Sequence, residues 1–210
     1  MPREPQYIRD FKKFAAGDPV FGDLPKLEAE VYGTNDRARS VMLAAIVETS
    51  LEIFLRRQTR PSLSTDDARL LFDFRGPLGD FSSKILVGYA FNFYGPNTRH
   101  DLDLVRTLRN GFAHARISFD FTTTAVAAVC TQLRAPDDPG AFIPHGWLSA
   151  VPHEDLGDAS DKTHPRTRYI ATCHILSERF LSNAGRSPDP RPETCPSGLG
   201  QPFPVRRKQH

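Results

Sequence analysis

Proline is distributed very unevenly along this chain, and its placement limits where a packed domain can lie. Eleven of the 18 prolines fall in two segments, residues 135–165 and 186–210. Proline can neither continue a helix nor donate a backbone hydrogen bond, and neither segment has a regular apolar pattern. A segment with little apolar surface to bury does not offset the entropy lost on ordering it. The sequence therefore predicts an irregular loop over 134–165 and a proline-rich disordered tail over 186–210.

Outside these segments the apolar residues recur every three or four positions, which is the spacing of one helix face. A long helix is predicted from Asp36 to Arg57, with Thr34 or Asn35 as its N-cap. Two short helices are expected before it. The later helices are predicted from about Asp80 toward Phe93, over 98–115, around 126–133 and over 166–183.

These patterns predict an all-α fold, a multi-helix bundle with the long proline-containing loop and the disordered tail. Residues 1–185 form one helical domain, and residues 166–183 are the closing helix that returns after the loop. Short connections make neighbouring helices antiparallel. Strands do not alternate with helices along the chain, which excludes most sheet folds that bind nucleotides.

Charge and cysteine content narrow the classes of function. The chain has 27 basic and 25 acidic residues, so a broad basic surface for nucleic acid is not expected. No apolar run approaches the ~20 residues of a membrane helix, and the amino terminus lacks a signal-peptide pattern. Three widely spaced cysteines suit free thiols in a reducing compartment. We expect a cytoplasmic protein with no membrane partner and no cofactor. No metal site is expected either, because the histidines of the 134–165 loop fit no ligand spacing.

The predicted helix over 98–115 carries a polar stripe opposite its apolar face. The stripe residues follow helical spacing, and two arginines flank them: Asp103, Thr107, Asn110 and His114, with Arg106 and Arg109. A histidine moves protons near neutral pH, and an arginine stabilises the charge that develops on a reacting phosphodiester. A symmetric dimer would bring two copies of such a site together.

A structural role for the stripe is the alternative. Asn110 and His114 would then hydrogen-bond a neighbouring helix and lock it in place. Gly111 costs about 1 kcal/mol in a helix relative to alanine, and a glycine inside a helix often marks the close approach of another backbone.

Two further carboxylates are candidates for binding. Glu48 lies in an otherwise apolar stretch, where a buried carboxylate needs a partner; Arg106 or Arg109 is the partner we consider, and a solvent-facing Glu48 is the alternative. Asp80 follows the turn of residues 76–79, and either Asp80 or Ser82 is expected to cap the next helix. Anion binding at that helix start is the weaker interpretation.

Two stretches resemble known families. Arg109-Asn110-Gly-Phe-Ala-His114 resembles the Arg-Asn-x-x-x-His element of HEPN-type helical domains, many of which are metal-independent ribonucleases while others are inactive interaction modules. The second stretch, Arg75-Gly-Pro-Leu-Gly-Asp-Phe-Ser-Ser-Lys84, resembles the signature of the mannitol repressor (MltR-like) family. The order of helices agrees with that family over roughly residues 35–134.

The resemblance implies an all-helical transcriptional co-regulator that acts through protein contacts and does not read DNA directly. Under that hypothesis Arg106, Asp103, Glu48 and Asp80 are candidate binding residues. The alternative is a HEPN-type, metal-independent endoribonuclease of the toxin kind, with Arg109, Asn110 and His114 as catalytic residues across a dimer cleft. Whether the chain is an enzyme stays open between the two. Both hypotheses expect a homodimer, the first allows another regulatory protein as partner, and only the second requires RNA.

Overall fold

The computed structural model describes residues 5–6, 34–59, 62–139 and 163–182. Those ranges contain six α-helices and no strand, so the all-α class is confirmed. A 3₁₀ turn, Ala135–Asp137, precedes the last helix. The helices are α1 (Asp36–Gln58), α2 (Thr65–Phe72), α3 (Phe81–Ala90), α4 (Pro96–His114), α5 (Thr124–Cys130) and α6 (Pro165–Ser182). The two expected opening helices, the tail and most of the 134–165 loop lie outside the described residues, and the domain limits stay predictions.

Helix α1 is the central scaffold, and its ends follow the sequence signals. The side chain of Asn35 accepts a hydrogen bond from the Ala38 backbone N–H at 2.9 Å, as an N-cap does. At the other end Thr59 donates from both its backbone N–H and its hydroxyl to the Arg56 carbonyl. The predicted inward face is confirmed, because its four members are almost fully buried: Leu43, Val47, Leu51 and Phe54.

Helices α1, α4 and α6 enclose the core, and aromatic rings connect them. Phe54 of α1 packs on Phe180 of α6 with ring centroids 5.5 Å apart. Phe121, in the segment after α4, lies between Phe112 of α4 and Tyr169 of α6, at 5.0 and 5.1 Å. The Tyr169 hydroxyl donates to the Ser40 carbonyl at 2.9 Å, which satisfies its buried polar group. These contacts hold α4 against the other two helices and fix which of its faces points outward.

Helix α6 is buried on more sides than its apolar pattern predicts. The 3–4 residue spacing indicates one inward face that includes Cys173, and His174 would then point away from the core. The structure buries both residues, together with Thr172 and Ser177. Burial lowers the pKa of His174 to about 3, because the charged imidazolium has lost its water.

Two helix ends and one whole helix differ from the sequence prediction. Helix α3 ends at Ala90 and does not reach Phe93, because Asn92 adopts a left-handed conformation with φ of 57°, which stops the helix. Helix α5 ends at Cys130, and the buried Leu133 follows it outside the helix. Helix α2 was not predicted, because Phe72 is its only buried residue. Within the described ranges, no helix has the length and apolarity to cross a bilayer.

Candidate functional site

The polar stripe lies on the outward side of α4. The helix starts with Pro96 after Gly95, a favoured first-turn residue. Its inward face is buried against the core through Leu102, Val105, Leu108 and Phe112. The stripe therefore faces away from the core: Thr107 and His114 are exposed, and Asp103 and Asn110 are half-buried.

The side-chain contacts of the stripe stay within α4. Asp103 has an arginine on each side: Arg99 Nε lies 3.7 Å and Arg106 Nη2 3.8 Å from its carboxylate oxygens. The Thr107 hydroxyl donates to the carbonyl of Asp103 at 2.7 Å. Among the described residues, no side-chain hydrogen bond joins this stripe to another helix, so the arrangement does not favour a role in locking a neighbour.

Arg109 and Asn110 form the one direct contact within the Arg-x4-His element. Arg109 Nη1 donates to Asn110 Oδ1 at 3.0 Å, and both side chains are half-buried. His114 lies one helical turn beyond Asn110 and is exposed. The element thus presents a cation, an amide and an imidazole to solvent from one helix. These groups are the hydrogen-bond donors and the proton carrier that phosphodiester cleavage requires. A single chain supplies only one copy of them.

Gly111 has open space around it. A Cβ built on this residue would meet no atom within 4 Å outside its own helix and chain neighbours. The expected close approach of another backbone is therefore wrong within the described residues. The residue is exposed. The free-energy cost of a glycine in this helix therefore has no packing explanation among the described residues.

Glu48 pairs with a residue that the sequence interpretation did not consider. Lys84 of α3 is 4% exposed, and its Nζ lies 2.9 Å from carboxylate oxygens of both Glu48 and Glu52. Arg106 and Arg109 are not the partners in the contacts described, where Arg106 lies near Asp103 and Arg109 donates to Asn110, both on α4. Burial alone would lower the pKa of Lys84, but hydrogen bonds and charge attraction from the two glutamates outweigh burial and raise it. The sequence signal for this pairing was the i, i+4 spacing of Glu48 and Glu52 on α1. Like charges at that spacing repel each other, and a nearby cation relieves the repulsion.

Asp80 acts as the N-cap of α3, as predicted. Its carboxylate accepts from the Ser83 backbone N–H at 2.9 Å and from the hydroxyls of Ser82 and Ser83 at 2.5 and 2.7 Å. The Ser82 hydroxyl contributes most, and together these bonds lower the pKa of Asp80 to about 2. The geometry therefore assigns Asp80 a structural role as a helix cap, and it does not indicate a bound ligand.

The turn before Asp80 folds tightly back on the end of α2. The Leu78 backbone N–H donates to the Leu71 carbonyl at 2.8 Å. A Cβ on Gly76 would lie 2.4 Å from the Leu70 carbonyl oxygen, and one on Gly79 would lie 2.4 Å from the Asp73 carbonyl oxygen. Only glycine permits such backbone proximity, which explains the residue types of this distinctive stretch.

Exposed apolar side chains are the feature that sequence reasoning missed. Leu86 is 55% exposed and Phe91 is 68% exposed, and the Phe91 ring stacks on that of Phe93 with centroids 6.1 Å apart. Large exposed apolar side chains that group together often mark contact sites for other proteins. Three others stand out elsewhere in the described residues: Leu70, Phe74 and Ile117. A helical pattern shows that Leu86 lies off the buried face of α3, but only the packed structure shows that none of the described residues covers it.

The cysteines and acidic residues of the described ranges form no metal site. Cys130 and Cys173 are free and buried, as expected of reduced thiols, and Cys195 lies outside these ranges. Burial raises the pKa of Cys130 to about 12, so the thiol stays neutral and unreactive. No three His, Cys, Asp or Glu side chains come together there in a way that would hold a metal ion.

Comparison with known proteins identifies the fold of this chain. The sequence matches no family model and no curated protein. The structure is similar to that of MtlR in the X-ray structure of the MtlR–HPr complex from Escherichia coli, with a TM-score of 0.52 and 17% sequence identity. The likeness covers 74% of this chain and 99% of that chain. The chain therefore has an MtlR-like helical fold, in agreement with the fold that the Gly76–Asp80 stretch implied.

Proposed function

We propose that this chain is a helical regulatory module of the mannitol repressor type, which acts through protein contacts and does not read DNA directly. The observation that supports the proposal most is the fold likeness, which extends over almost the whole MtlR chain. That MtlR structure is a complex with HPr. We extend the same mode of action to this chain, with HPr as the first partner to test.

The contact surface we propose is formed by Leu86 and Phe91. Both side chains are more than half exposed; Leu86 lies in the second half of α3, and Phe91 directly follows its last residue. Covering them with a partner would remove apolar area from water, which is the main favourable contribution to protein association. A partly exposed aromatic ring is also a frequent anchor of protein interfaces.

The test is a calorimetric titration of the purified chain with purified HPr. Binding should be saturable in the wild type and weakened at least tenfold in a Leu86→Ser/Phe91→Ser double variant. Ile117→Ser is the control, because it removes a similar exposed apolar side chain after α4. A wild-type chain that gives no saturable heat with HPr would contradict the proposed partner.

We further propose that the chain forms a homodimer through the outward face of α4. Gly111 leaves that face open enough for a second helix to approach closely. The regulatory hypothesis and its alternative both expect this assembly.

The second candidate function is a metal-independent endoribonuclease. It is favoured by the contact of Arg109 with Asn110 and by the exposure of His114 one turn away. In this mechanism His114 transfers the proton of the attacking or leaving oxygen, and Arg109 stabilises the charge on the reacting phosphate. RNA itself would reach the site from solvent, across the pair of α4 helices in the dimer.

Incubation with mixed single-stranded RNA in the presence of EDTA tests this candidate. Cleavage by the wild type and loss of cleavage in His114→Ala, with an unchanged melting temperature, would support it. Equal cleavage by the two proteins would show that the activity is a contaminant and would remove the candidate.

A further inference from the structure

The surface around Leu86 continues from α3 onto α4 through a stacked arginine. Leu86 and Tyr89 are three residues apart on α3, so their side chains are neighbours on the helix surface. Leu86 is 55% exposed and Tyr89 is half-buried. On α4, Arg99 Cζ lies 4.5 Å from the centroid of the Tyr89 ring. An apolar side chain, an aromatic ring and a cation therefore adjoin one another across the two helices.

Stacking on Tyr89 holds the Arg99 guanidinium in place and leaves its N–H groups available. The Arg99 side chain is 39% exposed, and its Nε lies 3.7 Å from Asp103 Oδ2, which is longer than a hydrogen bond. Within the part of the chain that the structure describes, the Arg99 side chain donates no hydrogen bond. The guanidinium is thus oriented by an aromatic ring and can still donate to an acceptor from outside the chain.

A second arginine with the same property lies further along α4. Arg106 Nη2 is 3.8 Å from the other carboxylate oxygen, Asp103 Oδ1, again too far for a hydrogen bond. Its Nε is buried and has no hydrogen-bond partner among the described residues. Asp103 therefore lies between two guanidinium groups and attracts both, but it satisfies the hydrogen-bond donors of neither.

We propose that this surface binds a partner protein through a segment that presents a carboxylate beside an apolar side chain. The apolar side chain covers Leu86, which removes apolar area from water. The carboxylate accepts paired, charge-assisted hydrogen bonds from Arg99, whose planar group is already oriented by Tyr89. Tyrosine and arginine are also enriched among the residues that dominate the binding energy of interfaces. This partner chemistry rests on the contact surface proposed above, because Leu86 belongs to both, and Arg99 extends that surface onto α4.

Three matched helical peptides with the same dye test the proposal by fluorescence anisotropy with the full-length chain. The first peptide has leucines along one side and glutamates beside them. The other two replace every glutamate with glutamine or with lysine. We expect saturable binding of the glutamate peptide and about tenfold weaker binding of the glutamine peptide, which lacks the charge-assisted hydrogen bonds. The lysine peptide should bind most weakly, because Arg99 repels it.

Arg99→Gln should weaken binding of the glutamate peptide about tenfold and leave binding of the glutamine peptide unchanged. Leu86→Ser should weaken binding of both peptides. Arg99→Lys keeps the charge but not the paired hydrogen bonds, so its affinity for the glutamate peptide should be intermediate. Arg69→Gln is the matched control, since Arg69 is a 68% exposed arginine of α2 that also lies near an aspartate, 3.9 Å from Asp66. This variant should bind all three peptides as the wild type does.

The proposal is overturned if the glutamate peptide does not bind saturably, or if the wild type binds the glutamate and glutamine peptides equally. It is also overturned if Arg99→Gln keeps the full preference for glutamate, or if it loses affinity for both peptides alike, as a purely structural role of Arg99 predicts. These measurements contain no HPr. A chain that prefers the glutamate peptide but does not bind HPr would therefore retain the partner chemistry proposed here and lose only HPr as the partner.

Discussion

At the scale of single residues, Lys84 shows how one buried charge joins two helices. Lys84→Met would leave Glu48 without its buried cation and Glu52 with Arg56 as its remaining ion-pair partner in the contacts described. Breaking a buried ion pair by removing one partner costs about 3 kcal/mol, and we expect a loss of that size in the free energy of unfolding, measured by urea denaturation. Arg69→Met is the control on an exposed arginine and should change stability by less than about 0.5 kcal/mol. A Lys84→Met variant as stable as this control would show that the pair contributes nothing.

His174 gives the fold a dependence on pH. Its pKa is lowered from 6.5 to about 3 by burial. The unfolded chain therefore binds a proton below pH 6.5 that the folded chain does not, and stability falls as the pH decreases from 6.5 toward 3. Between pH 7 and pH 5 this residue alone should lower the free energy of unfolding by about 2 kcal/mol.

Denaturation of His174→Asn at several pH values measures this contribution. The variant should lose most of the decrease between pH 7 and pH 5, whereas His114→Asn, on the exposed stripe, should keep it. The same pH dependence in the wild type and in His174→Asn would contradict the assignment.

At the scale of elements, two glycines with opposite surroundings provide a matched comparison. Gly76→Ala would place a Cβ 2.4 Å from the Leu70 carbonyl oxygen, so the turn must shift, at a cost of about 1–3 kcal/mol. Gly111→Ala meets open space and should stabilise α4 by up to about 1 kcal/mol. Chemical denaturation of the two variants gives both values. A neutral Gly76→Ala would mean that the turn is less tight than described.

The elements that sequence predicts well are those with a one-sided apolar pattern. Helices α1 and α4 have such a face, and both were predicted to within two residues at each end. Helix α2 has one buried residue and no usable period. Its start is nevertheless marked by the Ser64–Asp67 cap, in which Ser64 Oγ accepts from the Asp67 backbone N–H at 3.0 Å. The pairing of Glu48 with Lys84 depends on how two helices meet, and no local pattern contains that information.

At the scale of the whole molecule, we expect two copies to associate through the outward face of α4. Sedimentation of the wild type should then give twice the 23.5 kDa chain mass. Gly111→Arg should reduce the mass to that of a monomer without lowering the melting temperature, because a Cβ at this exposed position meets no atom within 4 Å among the described residues outside its own helix. Ala113→Arg is the control, because this exposed residue points about 160° away from Gly111 around the helix, and it should have a smaller effect. A wild-type chain that sediments as a monomer would contradict the proposed homodimer.

At this scale, the polar stripe of α4 and the arginines near the start of α1 differ in how far the sequence predicts them. The polar stripe of α4 was predicted from spacing alone, and the structure places it outward, available to a partner or to RNA. The four arginines that line a cleft near the start of α1 were not predicted to lie together, because they come from three separate parts of the chain: Arg37, Arg39, Arg116 and Arg166. The spacing of residues along one segment shows which of them share a helix face. A cleft between segments forms only through tertiary packing, which that spacing does not show.

We propose above all that this chain acts by binding a protein through the surface that Leu86 and Phe91 expose. Its most direct test is the calorimetric titration with HPr of the wild type and of Leu86→Ser/Phe91→Ser. The account predicts saturable binding by the wild type and at least tenfold weaker binding by the double variant, with both proteins equally folded. Absence of binding by the wild type, together with RNA cleavage that depends on His114, would contradict the claim and identify the ribonuclease as the function.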